Sequence, residues 1–232
     1  MDVNAIRYRL SVNSGSKNRL IEWLHSTRLD QLPGWFVTGT DTGVGKTYVG
    51  VRLLASLRAL GRAVTVRKPV ESGWVAQIEQ TDAWQLARAA GDLPLAAVCP
   101  YRFSAALAPP RAAALQGQTV TLAQLRAVCP EVGASRAFVH VEGAGGFYSP
   151  LAADGLNADL AQCLGLPVLL VAADRLGCLN HVLLVAEAVQ ARGLTLAAVI
   201  LNPLPDYSVP TGMDNLADLQ GYLDVPLLRL PG

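Results

Sequence analysis

The chain has little charge and few aromatic rings: 16% of its 232 residues are charged, 6% are aromatic, and the formal net charge is +1. So balanced a composition excludes a broad electrostatic grip on nucleic acid or on an anionic membrane, and leaves room for a local patch only. No apolar run approaches the roughly 18 residues of a membrane span. The longest, residues 166–173 and 194–201, have the length of strands. Arg7, Arg9, Lys17 and Arg19 near the start are followed by no apolar segment of the secretory kind. Cysteine is scattered: Cys99, Cys129, Cys163 and Cys178 make no C-x-x-C pair, which argues for buried reduced thiols and a reducing, cytoplasmic setting rather than disulfides or zinc. His25, His140 and His181 share no metal-ligand spacing, and His140, set in an apolar run, is expected to be a packing residue.

What is present is half hydrophobic and long enough for one sizeable domain or two small ones. Residues 1–33 stand apart as polar and mildly basic, closing at Leu32-Pro33-Gly34. They read as an N-terminal extension without function, poorly ordered or a lone helix over 17–32 with Leu20, Ile21, Leu24 and Leu29 on one side. Residues 34–232 form the main domain. There, apolar runs at 35–38, 63–66, 137–141, 168–172, 196–201 and 226–230 alternate with helical patterns at 46–60, 82–90, 121–128, 157–164, 180–191 and 213–222. Strands without polar alternation, separated by helices, predict an α/β three-layer sandwich whose mostly parallel sheet is covered by helices on both faces. Ligands in such sheets sit beyond the carboxyl ends of the strands, so polar and glycine residues should gather there.

They gather after the first four runs. The first is followed by Gly39-Thr40-Asp41-Thr42-Gly43-Val44-Gly45-Lys46-Thr47-Tyr48, a strand, glycine loop and helix that cradle phosphate: loop N–H groups face the anion, Lys46 brings charge, and Thr47 offers a hydroxyl to Mg²⁺. The second leads into Lys68-Pro69-Val70-Glu71-Ser72-Gly73, and both lysines are expected to be exposed at the sheet edge. After the third, Glu142 is placed at the strand end as a Mg²⁺ acid or a turn cap, before Gly143-Ala144-Gly145-Gly146. The fourth opens onto Asp174-Arg175-Leu176-Gly177-Cys178-Leu179-Asn180-His181, and the fifth ends in Asn202-Pro203. Asp82 opens a helix, either as an ordinary first-turn acid or as a second Mg²⁺ ligand. The loop departs from the common phosphate-loop consensus, which places glycine where Thr40 stands, and from the switch-ATPase form, which places lysine where Asp41 stands.

The segments ending the first four runs (36–47, 68–73, 141–146 and 176–181), in this order, resemble the dethiobiotin synthetases, a family of P-loop NTPase-like cyclo-ligases, from about residue 35 to the end. The resemblance implies that 7,8-diaminopelargonate, CO₂ and ATP give dethiobiotin, ADP and phosphate through a carbamate and a carbamic–phosphoric anhydride. By matched position, Lys46, Lys68 and Thr42 carry the chemistry, with the lysines on the phosphates and the carbamate. Gly43, Val44, Gly45, Lys46, Thr47, Tyr48, Glu142, Gly143, Ala144 and Gly145 hold ATP, with Asn202 and Pro203 at the adenine. Thr47, Asp82 and Glu142 hold Mg²⁺. Thr42 and Ser72 face the diamine or the carbamate, and Gly177, Cys178, Leu179 and Asn180 receive the substrate carboxylate from a partner subunit, which implies a homodimer with shared sites.

Some positions depart from the family pattern. Gly43 replaces a glutamate found in some relatives, and the segment from Phe103 to Arg111 keeps a proline but lacks a neighbouring histidine. The sequence stops at Leu230-Pro231-Gly232, where the family continues through a loop over adenine, so weak or relaxed ATP use is an expectation. A switch or partitioning ATPase and a nucleotide-binding homologue with weakened activity are the alternatives. Asp41, and the absence of a basic face or amphipathic tail, weigh against the first.

Overall fold

The computed structural model describes residues 14–131, 133, 135–205, 207 and 210–231. The first thirteen residues of the expected extension and Gly232 lie outside the described residues. Helix α1 (Ser14–Ser26) leads through a one-turn 3-10 helix (Leu29–Gln31) into β1 (Gly34–Gly39) and α2 (Lys46–Ala59). Then come β2 (Val64–Arg67), β3 (Val70–Ser72), α3 (Asp82–Ala89), α4 (Leu95–Val98), β4 (Tyr101–Phe103), α5 (Pro109–Leu115) and α6 (Leu122–Ala127). The second half runs β5 (Phe138–Gly146), β6 (Pro150–Ala152), β7 (Gly155–Leu156), α7 (Asn157–Leu164), β8 (Val168–Ala173), α8 (Cys178–Ala191), β9 (Leu196–Asn202), α9 (Asn215–Gln220) and β10 (Leu227–Arg229).

Six strands form one sheet in the order β10-β9-β8-β1-β5-β2, parallel throughout. The chain leaves β1 toward β2, later inserts β5 between them, and then crosses to β8, β9 and β10 on the other side. The glycine loop therefore leaves the sheet at a reversal of strand order, where a crevice opens. Alternate residues of β1 feed opposite cores. Trp35 and Val37 join Leu53, Leu57 and Leu86 under α2 and α3. Phe36 joins Val141, Leu160 and Ala161 under α7. His140 is fully buried, and its Nδ1 accepts the Trp35 indole N–H at 2.9 Å. That makes it a packing residue.

Four features differ from the pattern read along the chain. β5 runs on to Gly146, so Glu142 lies inside a strand, opposite Val37, rather than at its end. β3 and β4 form a separate parallel pair of three-residue strands, too short to show a period. α5 begins at Pro109 in a segment outside the helical patterns, because proline suits a first helical turn, where its missing N–H has no helical partner. The N-terminal helix stops at Ser26 rather than reaching residue 32. There the Ser26 and Thr27 hydroxyls donate back to the Trp23 carbonyl, and Arg28 turns left-handed at φ 60°. Its Leu20 and Leu24 are buried in the same core as α2. Among the described residues, no helix is long and apolar enough to cross a membrane.

Candidate active site

The loop between β1 and α2 is shaped by close approaches that only glycine permits. A side chain at Gly39 would meet the Asp41 carbonyl oxygen at 2.7 Å and Val44 Cγ2 at 2.8 Å, so this glycine packs beneath the loop although it sits one place before the consensus position. Gly45 takes φ 87°, and a Cβ there would lie 2.2 Å from Asn202 Nδ2, which donates to the Val44 carbonyl at 3.0 Å. Asn202 thus braces the loop from the end of β9, while its own Oδ1 has no partner among the described residues.

Both lysines are buried, 8% and 3% exposed, and not exposed at the sheet edge as the strand-end positions suggested. Carboxylates from two other elements close over Lys68. Its Nζ lies 2.8 Å from Glu142 Oε1 and 3.1 Å from Asp82 Oδ2. Burial alone would lower the Lys68 pKa, but Glu142, Asp82 and Glu71 outweigh it and raise the value, so the ammonium stays charged. Lys46 donates to the Asp41 carbonyl at 3.2 Å. Burial first, and the charge of Lys68 second, lower its pKa to about 8.

Glu142 is fully buried, and its Oε1 accepts from both Thr47 Oγ1, at 2.7 Å, and Lys68. Its Oε2 has no partner among the described residues. Burial pushes the Asp82 carboxyl up, yet Lys68 and hydrogen bonds from Lys68 and Thr47 hold it below the usual carboxylate range. Thr47, Lys68, Asp82 and Glu142 are therefore one connected cluster at the mouth of the loop.

A cleft of about 910 Å³ opens over this cluster. Thr42, Gly43, Gly45, Lys46, Thr47, Tyr48, Lys68, Ser72, Asp82, Ala144 and Gly145 line it. Val44, Glu142 and Gly143 are buried behind that lining. Asn202 and Pro203 at the end of β9 are not part of it, and neither are Gly177, Cys178, Leu179 and Asn180, which open α8 with Asn180 exposed. Trp84 and Gln85 on α3, with Leu107 and Pro109 before and in α5, add walls that the motifs did not indicate.

Two residues that shape the site were missed. Glu71 lines the cleft from β3 and accepts the N–H groups of Asp82 and Ala83. Its position inside Lys68-Pro69-Val70-Glu71-Ser72 was visible, but its partners, eleven and twelve residues away, were not. Burial raises its pKa, against the pull of Lys68 and the helix N–H groups. Asn157, fully buried at the start of α7, donates to the carbonyls of Ala144, Gly146 and Ser149 and accepts from the Ala144 N–H. One amide thus sets the shape of the glycine stretch after Glu142.

A protein-family profile described as an AAA domain matches residues 34–230. Among curated proteins, the chain is 48% identical over 202 residues to the ATP-dependent dethiobiotin synthetase BioD of Anaeromyxobacter dehalogenans, with 85% of this chain and 89% of that protein covered. The protein of that description from Aromatoleum aromaticum is 43% identical over 198 residues, covering 84% and 88%. A solved structure of the septum site-determining protein MinD complexed with Mg-ADP, from Pyrococcus horikoshii, matches at 20% identity and a TM-score of 0.46, over 84% of this chain and 79% of that one. That likeness is too distant to carry an argument.

Proposed function

The chain belongs to the ATP-dependent dethiobiotin synthetase family, and we propose that its cleft joins 7,8-diaminopelargonate, CO₂ and ATP into dethiobiotin, ADP and phosphate. The observation that supports this most is Lys68, an enclosed ammonium held by Glu142 and Asp82 beside the glycine loop. The reaction brings a carbamate against a triphosphate, and fixed positive charge is what such an encounter needs.

One amine takes up CO₂ and releases a proton. A carbamate oxygen then bonds to the γ-phosphorus as the bond to the β–γ bridging oxygen breaks and ADP leaves. The second amine attacks the carbonyl carbon of the resulting anhydride; phosphate leaves, a proton is lost and the ureido ring closes. Lys46 and Lys68 screen the approaching oxygens, while Thr42 and Ser72 orient the diamine across the cleft. Asn202 has its Nδ2 committed to the loop, so Oδ1 is the atom left to read the adenine amine, with Pro203 beside it.

The residues fit Mg²⁺. Glu142 Oε2 is a buried oxygen without a partner among the described residues, and the Thr47 hydroxyl and Asp82 carboxylate share its cluster, a set of hard oxygen donors. Among the described residues no three carboxylate, His or Cys groups gather as a metal site, so nucleotide oxygens would complete the shell. When bound, the ion supplies charge neutralisation at the transferring phosphoryl group.

Because Gly177, Cys178, Leu179 and Asn180 do not line the cleft of their own chain, we assign them to the substrate carboxylate in a partner's cleft, at the start of the fourteen-residue α8. The working unit is then a homodimer, placed in the cytoplasm, with residues 34–232 as the catalytic domain and 1–33 as an extension. Phosphate release measured with and without the diamine plus bicarbonate, with dethiobiotin followed by mass, tests the reaction. Hydrolysis indifferent to the diamine and stimulated by DNA or membranes would overturn it. A strictly monomeric protein with full activity would remove the shared site.

A further inference from the structure

We propose that Glu71 is a positioning residue: its carboxylate clasps the start of α3 and so sets Asp82 against the Lys68–Glu142 pair. Glu71 sits on β3 and is 7% exposed. Both its oxygens are engaged, Oε1 accepting from the Asp82 N–H at 3.0 Å and Oε2 from the Ala83 N–H at 2.9 Å. A helix start with free N–H groups favours a carboxylate, and a two-point hold fixes orientation as well as distance.

The helix does not need Glu71 for ordinary capping. Thr81 already does that, its Oγ1 accepting from the Trp84 N–H at 3.3 Å. What Glu71 adds is a tie between elements. Asp82 is the first residue of α3, and its side chain reaches Lys68 Nζ at 3.1 Å. Lys68 lies three residues before Glu71 in the chain and also holds Glu142 at 2.8 Å. The contacts close a ring: Glu71 to the Asp82 backbone, the Asp82 side chain to Lys68, and Lys68 back along the chain to Glu71. Without the clasp, α3 can shift on β3 and carry the Asp82 carboxylate away from Thr47 and Glu142.

The inference rests on Asp82 being a Mg²⁺ ligand, and the experiment separates the two. Mn²⁺ binding to the intact protein in the presence of ADP is measured by electron paramagnetic resonance of the free ion, without turnover, alongside melting temperatures. Glu71→Gln is expected to weaken Mn²⁺ binding about tenfold, in the range for residues that orient a metal ligand. Thr81→Ala should lower the melting temperature and leave Mn²⁺ binding unchanged. The double variant Glu71→Gln/Asp82→Asn should bind Mn²⁺ no more weakly than Asp82→Asn alone, since one residue acts through the other. If Asp82→Asn weakens binding and Glu71→Gln does not, the positioning role falls while the metal site stands. If Asp82→Asn changes nothing, the metal reading falls and takes the inference with it. Equal weakening by Thr81→Ala would reduce Glu71 to a helix cap. Should Glu71→Gln fail to fold, Glu71→Asp, which keeps the charge but withdraws it by one methylene, carries the same comparison.

Discussion

The two ends of the sheet's carboxyl edge each bury a carboxylate beside a cation, and they are built in opposite ways. At the β8–β10 end, Asp174 is 2% exposed and both its oxygens are engaged, Oδ1 by Asn215 Nδ2 at 2.8 Å and Oδ2 by Arg229 Nε at 2.5 Å. Its N–H also pairs with the Asn202 carbonyl at 2.9 Å. At the β1–β5 end, Glu142 crowds two donors onto Oε1 and leaves Oε2 buried with no partner among the described residues. The first arrangement is finished and the second waits for something. Buried polar atoms are nearly always satisfied, so Glu142 Oε2, buried behind the cleft and beside the Thr47 hydroxyl, is an oxygen available to a ligand there.

The widest separation between the two ends comes from removing one member of each ion pair. Lys68→Ala should abolish dethiobiotin formation. It should also destabilise the fold by about 3–5 kcal/mol, because Glu142 is left as an uncompensated buried charge. Adding Glu142→Gln should restore much of the melting temperature and none of the activity. A Lys68→Ala protein that melts like the parent would show that Glu142 reaches water, and the contrast would fail. Asp174→Ala at the finished end is expected to cost about 2 kcal/mol, since Asn215 loses a buried partner, with ring closure at the parental rate in protein that remains folded. A large loss of turnover with no change in melting temperature would mean that Asp174 itself takes part in turnover.

Much of this edge was legible in the sequence, and the reasons for what was not are physical. Strands covered on both faces read as unbroken apolar runs, so β8 and β9 stood out at nearly their true limits. The glycine loop and the lysine, glutamate and glycine segments followed, because polar residues after such runs have only the sheet edge to occupy. Burial of Lys68 was not readable, since it depends on Asp82 folding back from α3 across fourteen residues of chain. Glu71 was hidden because its partners are backbone N–H groups, which every sequence offers everywhere. The leucine stripe of α1 was visible, but its seat against α2 is not in the periodicity.

pH distinguishes the two ends next. Lys46 holds its proton only up to about pH 8, lowered by burial and by Lys68. Because its charge is needed at the phosphates, kcat/KM for ATP should fall about tenfold per pH unit above that value. The stability effect has the opposite sign. Between about 8 and 10.5 the unfolded chain holds a proton on this lysine that the folded chain has lost, so the contribution of Lys46 to stability rises with pH there. Activity falling while the melting temperature holds or climbs is the expected pair of curves. A flat kcat/KM through pH 9 would remove Lys46 from the charge that ATP needs.

The smallest expected effect lies in the loop itself. Gly43 takes φ 76°, and a Cβ built there meets nothing within 4 Å, in contrast to the crowded Gly39 and Gly45 on either side. Gly43→Ala should therefore cost only the left-handed backbone, about 1 kcal/mol. It should leave the KM for ATP unchanged, since the loop meets phosphate through backbone N–H groups, which the methyl leaves in place. Melting temperature and ATP titration check both halves. A raised KM would mean that the nucleotide fills the space above Gly43, and that the cleft is closed there by its ligand rather than left free for the diamine.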